Sequence, residues 1–254
     1  QSKLINTTDN NTFSCGVFLD FASAFDSAFD TVNHKIILQK LDHYDVKGTA
    51  NNWFRSYLSN RYQKVKIGNT LSDEYQINCG VPQGSVLGPI LFLIYINDIQ
   101  NSSNLLKFYL FADDTSTIYT HKSLKTIEDV YNNELIKVEE WLKSNKLTLN
   151  VLKTNIVIFH SNRKKININL NIKIGGKTIE IKEYAKYLGV LLDNHLNWNQ
   201  HIQTVNLKIS KGIGIIAKLR HFVSKPIIRT LFYSFIQPFI DYGVLSWGCA
   251  PKVF

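Results

Sequence analysis

Two adjacent carboxylates, Asp113 and Asp114, stand between the apolar run Phe108-Tyr109-Leu110-Phe111-Ala112 and a Thr-rich stretch that begins at Thr115. Leu105 to Phe111 and Ser116 to Thr120 read as two strands, joined by a tight connection that carries both acids. Like charges held close in a poorly solvated turn repel, so such a hairpin calls for a cation at its tip. A second apolar stretch, Cys15 to Phe21, reads as a buried strand with Asp20 near its end. Adjacent Asp residues also make ordinary turns, and an Asp after a strand often caps a helix. That plainer reading weakens because both Asp113 and Asp114 are flanked by apolar strands. Carboxylates on adjacent strand ends form a hard-cation site suited to Mg²⁺ or Mn²⁺.

The surrounding pattern is that of an α+β body. Thr31 to Asp42, Asn52 to Leu58 and Ser123 to Ser144 have helical spacing, and Asn155 to His160 reads as another strand. Val86 to Ile96 is about half a membrane span, so it reads as a buried helix that opens at Gly88-Pro89. Gln63 to Ile67 and Glu74 to Cys79 look like two strands across a Gly68-Asn69 turn. From Ile166 to Ile174 apolar residues alternate with Asn167, Asn169, Asn171 and Lys173. This predicts a hairpin through Gly175-Gly176 into Thr178 to Ile181, with one wet face. Past about Gln200 the pattern turns helical, over Ile202 to His221 and Lys225 to Tyr242.

Charge points to a polyanionic partner. The chain carries 29 basic and 20 acidic residues, a net +9. Between His201 and Phe254 seven basic residues face the single acid Asp241, so 7 − 1 = +6 of that excess sits in the helical end. Cys15, Cys79 and Cys249 are isolated and make neither a disulfide framework nor a zinc site, and His34, His195 and His201 are too scattered for a metal centre. The sequence has no Met, even at position 1, which predicts an internal stretch of a longer protein. Carboxylates for hard cations plus net basicity suggest phosphoryl transfer on nucleic acid.

Five stretches, in order, carry a family resemblance. They are Phe18-Leu19-Asp20-Phe21-Ala22-Ser23-Ala24-Phe25-Asp26, Gly80-Val81-Pro82-Gln83-Gly84-Ser85-Val86-Leu87-Gly88-Pro89, Phe111-Ala112-Asp113-Asp114, Leu149-Asn150-Val151-Leu152-Lys153-Thr154, and Tyr187-Leu188-Gly189-Val190 with Leu196-Asn197-Trp198 and His201-Ile202. Together they resemble the reverse transcriptase domain of non-LTR (LINE-type, jockey-like) retrotransposons, over roughly residues 15 to 254. The resemblance implies a polymerase palm, an antiparallel sheet backed by helices, with partial fingers and the start of a helical thumb. Residues 1–185 would be palm with a remnant of fingers, and 186–254 the primer-grip region and basic start of the thumb.

The implied activity is RNA-directed DNA synthesis, a nucleotidyl transfer from dNTPs to a primer 3′-hydroxyl on an RNA template. Asp20 and Asp113 would bridge two Mg²⁺ ions (or Mn²⁺), with Asp114 in a looser supporting role. The main chain at Phe21 and the ring of Phe25 fall where the family excludes a 2′-hydroxyl. Gln83 and Gly84 would lie beside the templating base and incoming nucleotide, and Lys153 near the leaving pyrophosphate. Arg61 also matches a recurrent family position. The implied partners are template RNA, primer DNA, dNTPs and further domains of a parent polyprotein such as fingers and endonuclease, with no membrane. The implied setting is intracellular: cytoplasmic as a ribonucleoprotein, nuclear during target-primed synthesis.

Two departures bear on activity. Ser23-Ala24-Phe25-Asp26 is repeated at once as Ser27-Ala28-Phe29-Asp30, whereas family members pass from Ala-Phe-Asp directly into Thr-Val-Asn-His, here Thr31 to His34. Four extra residues approximate one helical turn, so a loop can absorb them or Asp20 can lose its place. Only 14 residues precede Cys15, leaving the fingers short of the basic residues that grip a triphosphate. The expectation is a segment weakly active or inactive alone, the alternative being a dead remnant that at most binds nucleic acid.

Overall fold

The computed structural model describes residues 12–22, 28–82, 84–161, 168–248 and 250. Among the described residues the first elements are β1 (Phe13–Leu19) and β2 (Phe21–Ala22), then a 3₁₀ turn at Ala28–Thr31 and helices α1 (His34–His43) and α2 (Gly48–Leu58). Four two-residue strands follow, β3 (Tyr62–Gln63), β4 (Lys66–Ile67), β5 (Thr70–Leu71) and β6 (Tyr75–Gln76), then helix α3 (Leu87–Ile96) and a 3₁₀ turn at Asn97–Ser102. Next come β7 (Lys107–Phe111), β8 (Asp114–His121), α4 (Leu124–Ser144), β9 (Thr148–Leu149) and β10 (Asn155–Phe159). Short strands β11 (Lys173–Ile174), β12 (Lys177–Thr178) and β13 (Glu180–Ile181) lead to the hairpin β14 (Tyr184–Tyr187) and β15 (Val190–Asp193). Helices α5 (Asn199–Leu219), α6 (Lys225–Phe235), α7 (Gln237–Asp241) and α8 (Val244–Trp247) complete it.

The fold is α+β, with an antiparallel-dominated main sheet in the strand order β13-β10-β1-β8-β7. The backbone divides into two units. One comprises Gly16–Ile156 and Ile168–Glu180, the other Gln1–Cys15, Val157–Asn167 and Ile181–Phe254. Strand β1 is buried at every residue except Phe18, which is why it reads as a nearly continuous apolar run rather than an alternation. Helix α4 starts where the Ser123 hydroxyl accepts the Thr126 N–H, and it buries Ile127, Tyr131, Leu135, Val138 and Leu142 at three- and four-residue spacing. Helix α3 buries Leu91, Phe92, Tyr95 and Ile96. Among the described residues no helix is long and apolar enough to cross a membrane.

Three expected elements differ in detail. The ribbon around Gly68 consists of two short nested ladders, β4 with β5 and β3 with β6. The Ser72 hydroxyl accepts the Val65 N–H between them at 2.9 Å, which interrupts one continuous pairing. The alternating Asn-rich stretch, whose first residues Ile166 and Asn167 lie outside the described residues, buries Leu170, Ile172 and Ile174 as its pattern predicts. Yet only Lys173–Ile174 forms a ladder there, with Lys177–Thr178. Other backbone groups of the stretch bond to side chains of α4: Asn171 N–H to Glu128, Lys173 N–H to Asn132, and Gly175 N–H to Glu139, each at 2.9–3.0 Å. The last expected helix breaks at Ile236, because Pro238 has no N–H to donate and its ring crowds the carbonyl four residues back.

Candidate active site

Strand β1 ends at Leu19, and the next residue, Asp20, is held from the far side of the sequence. Its N–H donates to the Thr154 hydroxyl at 3.3 Å, and its carbonyl accepts the Asn150 N–H at 2.8 Å. The Thr154 hydroxyl donates onward to the Asn150 carbonyl at 3.0 Å, closing a small ring of bonds. Just beyond, β2 pairs with β9 through Phe21↔Leu149 and Ala22↔Thr148. Lys153 sits in the turn between, its N–H bonded to the Asn150 carbonyl at 3.1 Å and near the Asn150 side-chain oxygen at 3.3 Å. The sequence stretch Leu149 to Thr154 is thus stitched to Asp20 and Phe21.

The β7–β8 hairpin brings the remaining acids. Phe111 pairs with Asp114, so Ala112 and Asp113 form the two-residue tip. Ala112 has φ +50°, in the left-handed region that costs an L-residue roughly 1 kcal/mol or more. Burial raises the Asp20 carboxyl above its ordinary pKa; Lys153 pulls it back down and Asp113 pushes it further up. Asp113 and Lys153 therefore both lie within electrostatic reach of Asp20. Asp113 and Asp114 are both exposed, while Phe21 is half-buried. Phe25 and Gln83 lie outside the described residues, as does the stretch Ser23 to Ser27 that begins the tetrapeptide repeat.

The Gly80 to Gly88 loop is pinned beside the start of α1. Gly80 N–H donates to the Val32 carbonyl at 2.8 Å, the Gly80 carbonyl accepts from His34 Nε2 at 2.8 Å, and Cys79 bridges Asn33. Gly80 has φ +85°, and a Cβ there would meet the Asp30 backbone at 3.1 Å, so a side chain would push the loop off this anchor. Gly84 has φ +78° with open space where a Cβ would point, leaving its backbone approachable. Tyr95 joins these parts from below, since its hydroxyl accepts the Asn33 N–H at 3.4 Å and donates to the Asn145 carbonyl, shortly before β9. The flanks of the tetrapeptide repeat are held on both sides, Phe21–Ala22 by β9 and Asn33–His34 by Cys79 and Gly80.

Among the described residues no three Asp, Glu, His or Cys side chains stand close enough to enclose a metal ion. The donor set still fits Mg²⁺, which is commonly held by one or two carboxylates and completed by substrate phosphates and water. The mutual repulsion of Asp20 and Asp113 is what such a cation relieves. Sequence reasoning named Lys153 but missed Thr154, Asn150 and His34 as supports, although Thr154 and Asn150 lie in the same motif as the lysine. Nothing in a single sequence signals that a Thr hydroxyl meets a backbone N–H 134 residues away.

Comparison with known proteins supplies the family. The reverse transcriptase (RNA-dependent DNA polymerase) family model matches residues 3–192. The chain is 27% identical over 256 residues to a probable RNA-directed DNA polymerase from transposon X-element of Drosophila melanogaster, covering 98% of this chain and 27% of that protein. It is 25% identical over 265 residues to the RNA-directed DNA polymerase from mobile element jockey of the same species, covering 98% and 27%. A retrovirus-related Pol polyprotein from type-1 retrotransposable element R1 of Bradysia coprophila is 25% identical over 207 residues, covering 79% and 20%. The chain thus spans about a quarter of the length of the first two of these relatives. With the family model matched over most of its length, this chain belongs to the reverse transcriptase family, with relatives among the polymerases of non-LTR retrotransposons.

Proposed function

We propose that this chain catalyses template-directed transfer of deoxynucleotides from dNTPs to a primer 3′-hydroxyl, with RNA as template. The observation that carries the reading is the convergence of Asp20, Asp113 and Lys153 from three separate sequence motifs. Asp20 and Asp113, with Asp114 in support, would hold two Mg²⁺ ions. When bound, these ions lower the pKa of the primer hydroxyl and neutralise charge on the triphosphate. The residues themselves orient the reactants. Asp20 fixes one side of the site through its bonded main chain, and the Lys153 ammonium stabilises negative charge on the departing pyrophosphate or gives it a proton. Gly84 lets the nucleotide approach the backbone, while Gln83 offers a donor and an acceptor to the base pair. The ring of Phe25, following Phe21, selects against a 2′-hydroxyl.

In this reading residues 1–185 form a palm with part of the fingers, and 186–254 the primer grip and start of the thumb. Its setting would be a ribonucleoprotein that acts in the nucleus during target-primed synthesis. Primer extension on an RNA template with dNTPs and Mg²⁺ tests it. Incorporation that falls at least 10²-fold in Asp20→Asn and Asp113→Asn chains, roughly the loss expected when reacting groups are misplaced, supports the reading. Binding of primer–template with no incorporation, even after deletion of residues 27–30, favours a nucleic-acid binder without chemistry.

A further inference from the structure

One phenol oxygen stands between two helix caps. Tyr95 is fully buried, and its hydroxyl accepts the N–H of Asn33, which caps the start of α1, at 3.4 Å. The same hydroxyl donates to the carbonyl of Asn145, the residue that ends α4. The residue after Asn33 is His34, which holds the Gly80 carbonyl. From Asn145 the chain runs into β9 and on to Asn150, whose N–H holds the Asp20 carbonyl. Through these bonds Tyr95 connects the Gly80 loop to the turn that carries Lys153, and all of these residues belong to one unit.

A cation holds the ring that bears this hydroxyl. The Lys40 side chain, on α1, is only 13% exposed, and its Nζ lies 5.0 Å from the centre of the Tyr95 ring and 4.9 Å from that of Trp141 on α4. It donates to the Tyr95 carbonyl at 2.5 Å and to Asp98 at 2.6 Å. Taking an ammonium and a carboxylate out of water costs about as much as their attraction returns, so the pair is a weak device for stability. It is a better device for direction. Charge-assisted bonds to a carbonyl and a carboxylate, with a ring on either side, select one placement of Tyr95 that an apolar side chain would not. Helices α1, α3 and α4 therefore meet on one cation.

We propose that Tyr95, clamped by Lys40, is a positioning residue that sets the spacing between the Gly80 loop and the Asp20–Lys153 turn, and with it the fit of the incoming dNTP. The inference rests on the polymerase reading above, in which the base pair meets the loop and the pyrophosphate meets Lys153. A nucleotide held at both places is sensitive to the distance between them, and small misplacement of reacting groups costs rate. Tyr95 acts through the main chain of Asn33 and Asn145 rather than by touching the nucleotide.

The test uses the whole chain with an RNA template, a DNA primer, dNTPs and Mg²⁺. Tyr95→Phe removes only the hydroxyl; Lys40→Met removes the cation and leaves Asp98, whose side chain is 35% exposed, in contact with water. KM for the next dNTP should rise about fivefold in each, the size of one hydrogen bond, with primer–template affinity unchanged. A role in folding alone would lower kcat through the folded fraction, which thermal melting reports, and leave KM where it is. Amide hydrogen exchange, read without nucleotide, should quicken at both Gly80 and Asn150. Should Tyr95→Phe melt below the assay temperature, Lys40→Met carries the test. An unchanged KM in the folded variants, or exchange that quickens on one side only, would overturn the inference. If the unsubstituted chain incorporates no dNTP, the polymerase reading falls and exchange alone decides the Tyr95 link: quickening at both amides upholds it, and no change at either overturns it.

Discussion

The backbone N–H of Asp20 and the hydroxyl of Thr154 meet at 3.3 Å across 134 residues of sequence, and Thr154 is fully buried. A buried hydroxyl that both donates and accepts ties the carboxylate's main chain to the turn carrying Lys153. Thr154→Val keeps the shape but leaves the Asp20 N–H without its acceptor, which costs about 1–3 kcal/mol. Nucleotide incorporation is expected to fall about tenfold or more, with Thr154→Ser close to the unsubstituted chain. Steady-state primer extension checks this; a Val variant that melts early but turns over normally would show the hydroxyl to be structural alone.

Stability should rise when the site is disarmed. Because the Asp20 pKa is raised in the fold, the native state holds its proton to higher pH than the unfolded chain does. Between the unfolded and native pKa values, stability therefore falls as pH rises, and above the native value the full cost of the ionised carboxylate is present. Asp20→Asn is expected to melt higher than the unsubstituted chain at neutral pH and to lose that advantage in acid. Mg²⁺ should raise the melting temperature of the unsubstituted chain and leave Asp20→Asn nearly unmoved. Calorimetric scans with and without Mg²⁺ across pH decide both points.

The hairpin tip offers a third measurement. Ala112 at φ +50° is strained, and glycine reaches that region freely. Ala112→Gly is expected to hold or slightly raise the melting temperature, whereas Ala112→Val should lower stability by roughly 1 kcal/mol or more. If Val at 112 is tolerated without loss, the turn is not constrained as its backbone suggests.

Much of this arrangement is legible in the amino-acid order alone. The strands around Asp20 and Asp113, the α4 stripe from Ile127 to Leu142 and the order of the motifs follow from periodicity and residue type. What stays hidden is held by single tertiary bonds. His34 is a stray imidazole in the sequence, and only the fold sets its Nε2 on the Gly80 carbonyl; Tyr95 sits in an apolar helical stretch with nothing local to mark it. The break at Ile236 is legible in principle, since Pro238 forbids a continuous helix, but the apolar period across it hides the stop. The alternation at Ile168 to Ile174 indicates the right buried face but not the helix that bonds to it. Burial repeats every two residues whether the backbone pairs with a strand or with a helix's side chains.

Charge makes the fourth prediction. Lys211, Lys218 and Arg220 are exposed on or beside α5, in a region with a +6 balance. Replacing all three with Gln is expected to weaken duplex binding at low salt and flatten the dependence of log K on log salt, by about one unit of slope for each phosphate no longer neutralised. A filter-binding series over several salt concentrations reads the slope. Parallel lines for the two chains would assign phosphate binding to other basic residues.

The row of bonds from Glu128, Asn132 and Glu139 to the Asn-rich segment has a consequence for how this protein behaves at high concentration. An extended stretch of alternating apolar residues ordinarily offers unsatisfied amides along its margin, a template on which another copy can add a strand and start a fibre. Here the amides of Asn171, Lys173 and Gly175 are already taken by carboxylate and amide side chains of the same molecule, and the Asn171 carbonyl accepts from Asn132. The helix denies that margin to strangers. Loss of Glu128 and Asn132 together would expose it, and the visible sign would be self-association of a chain whose apolar face is still buried.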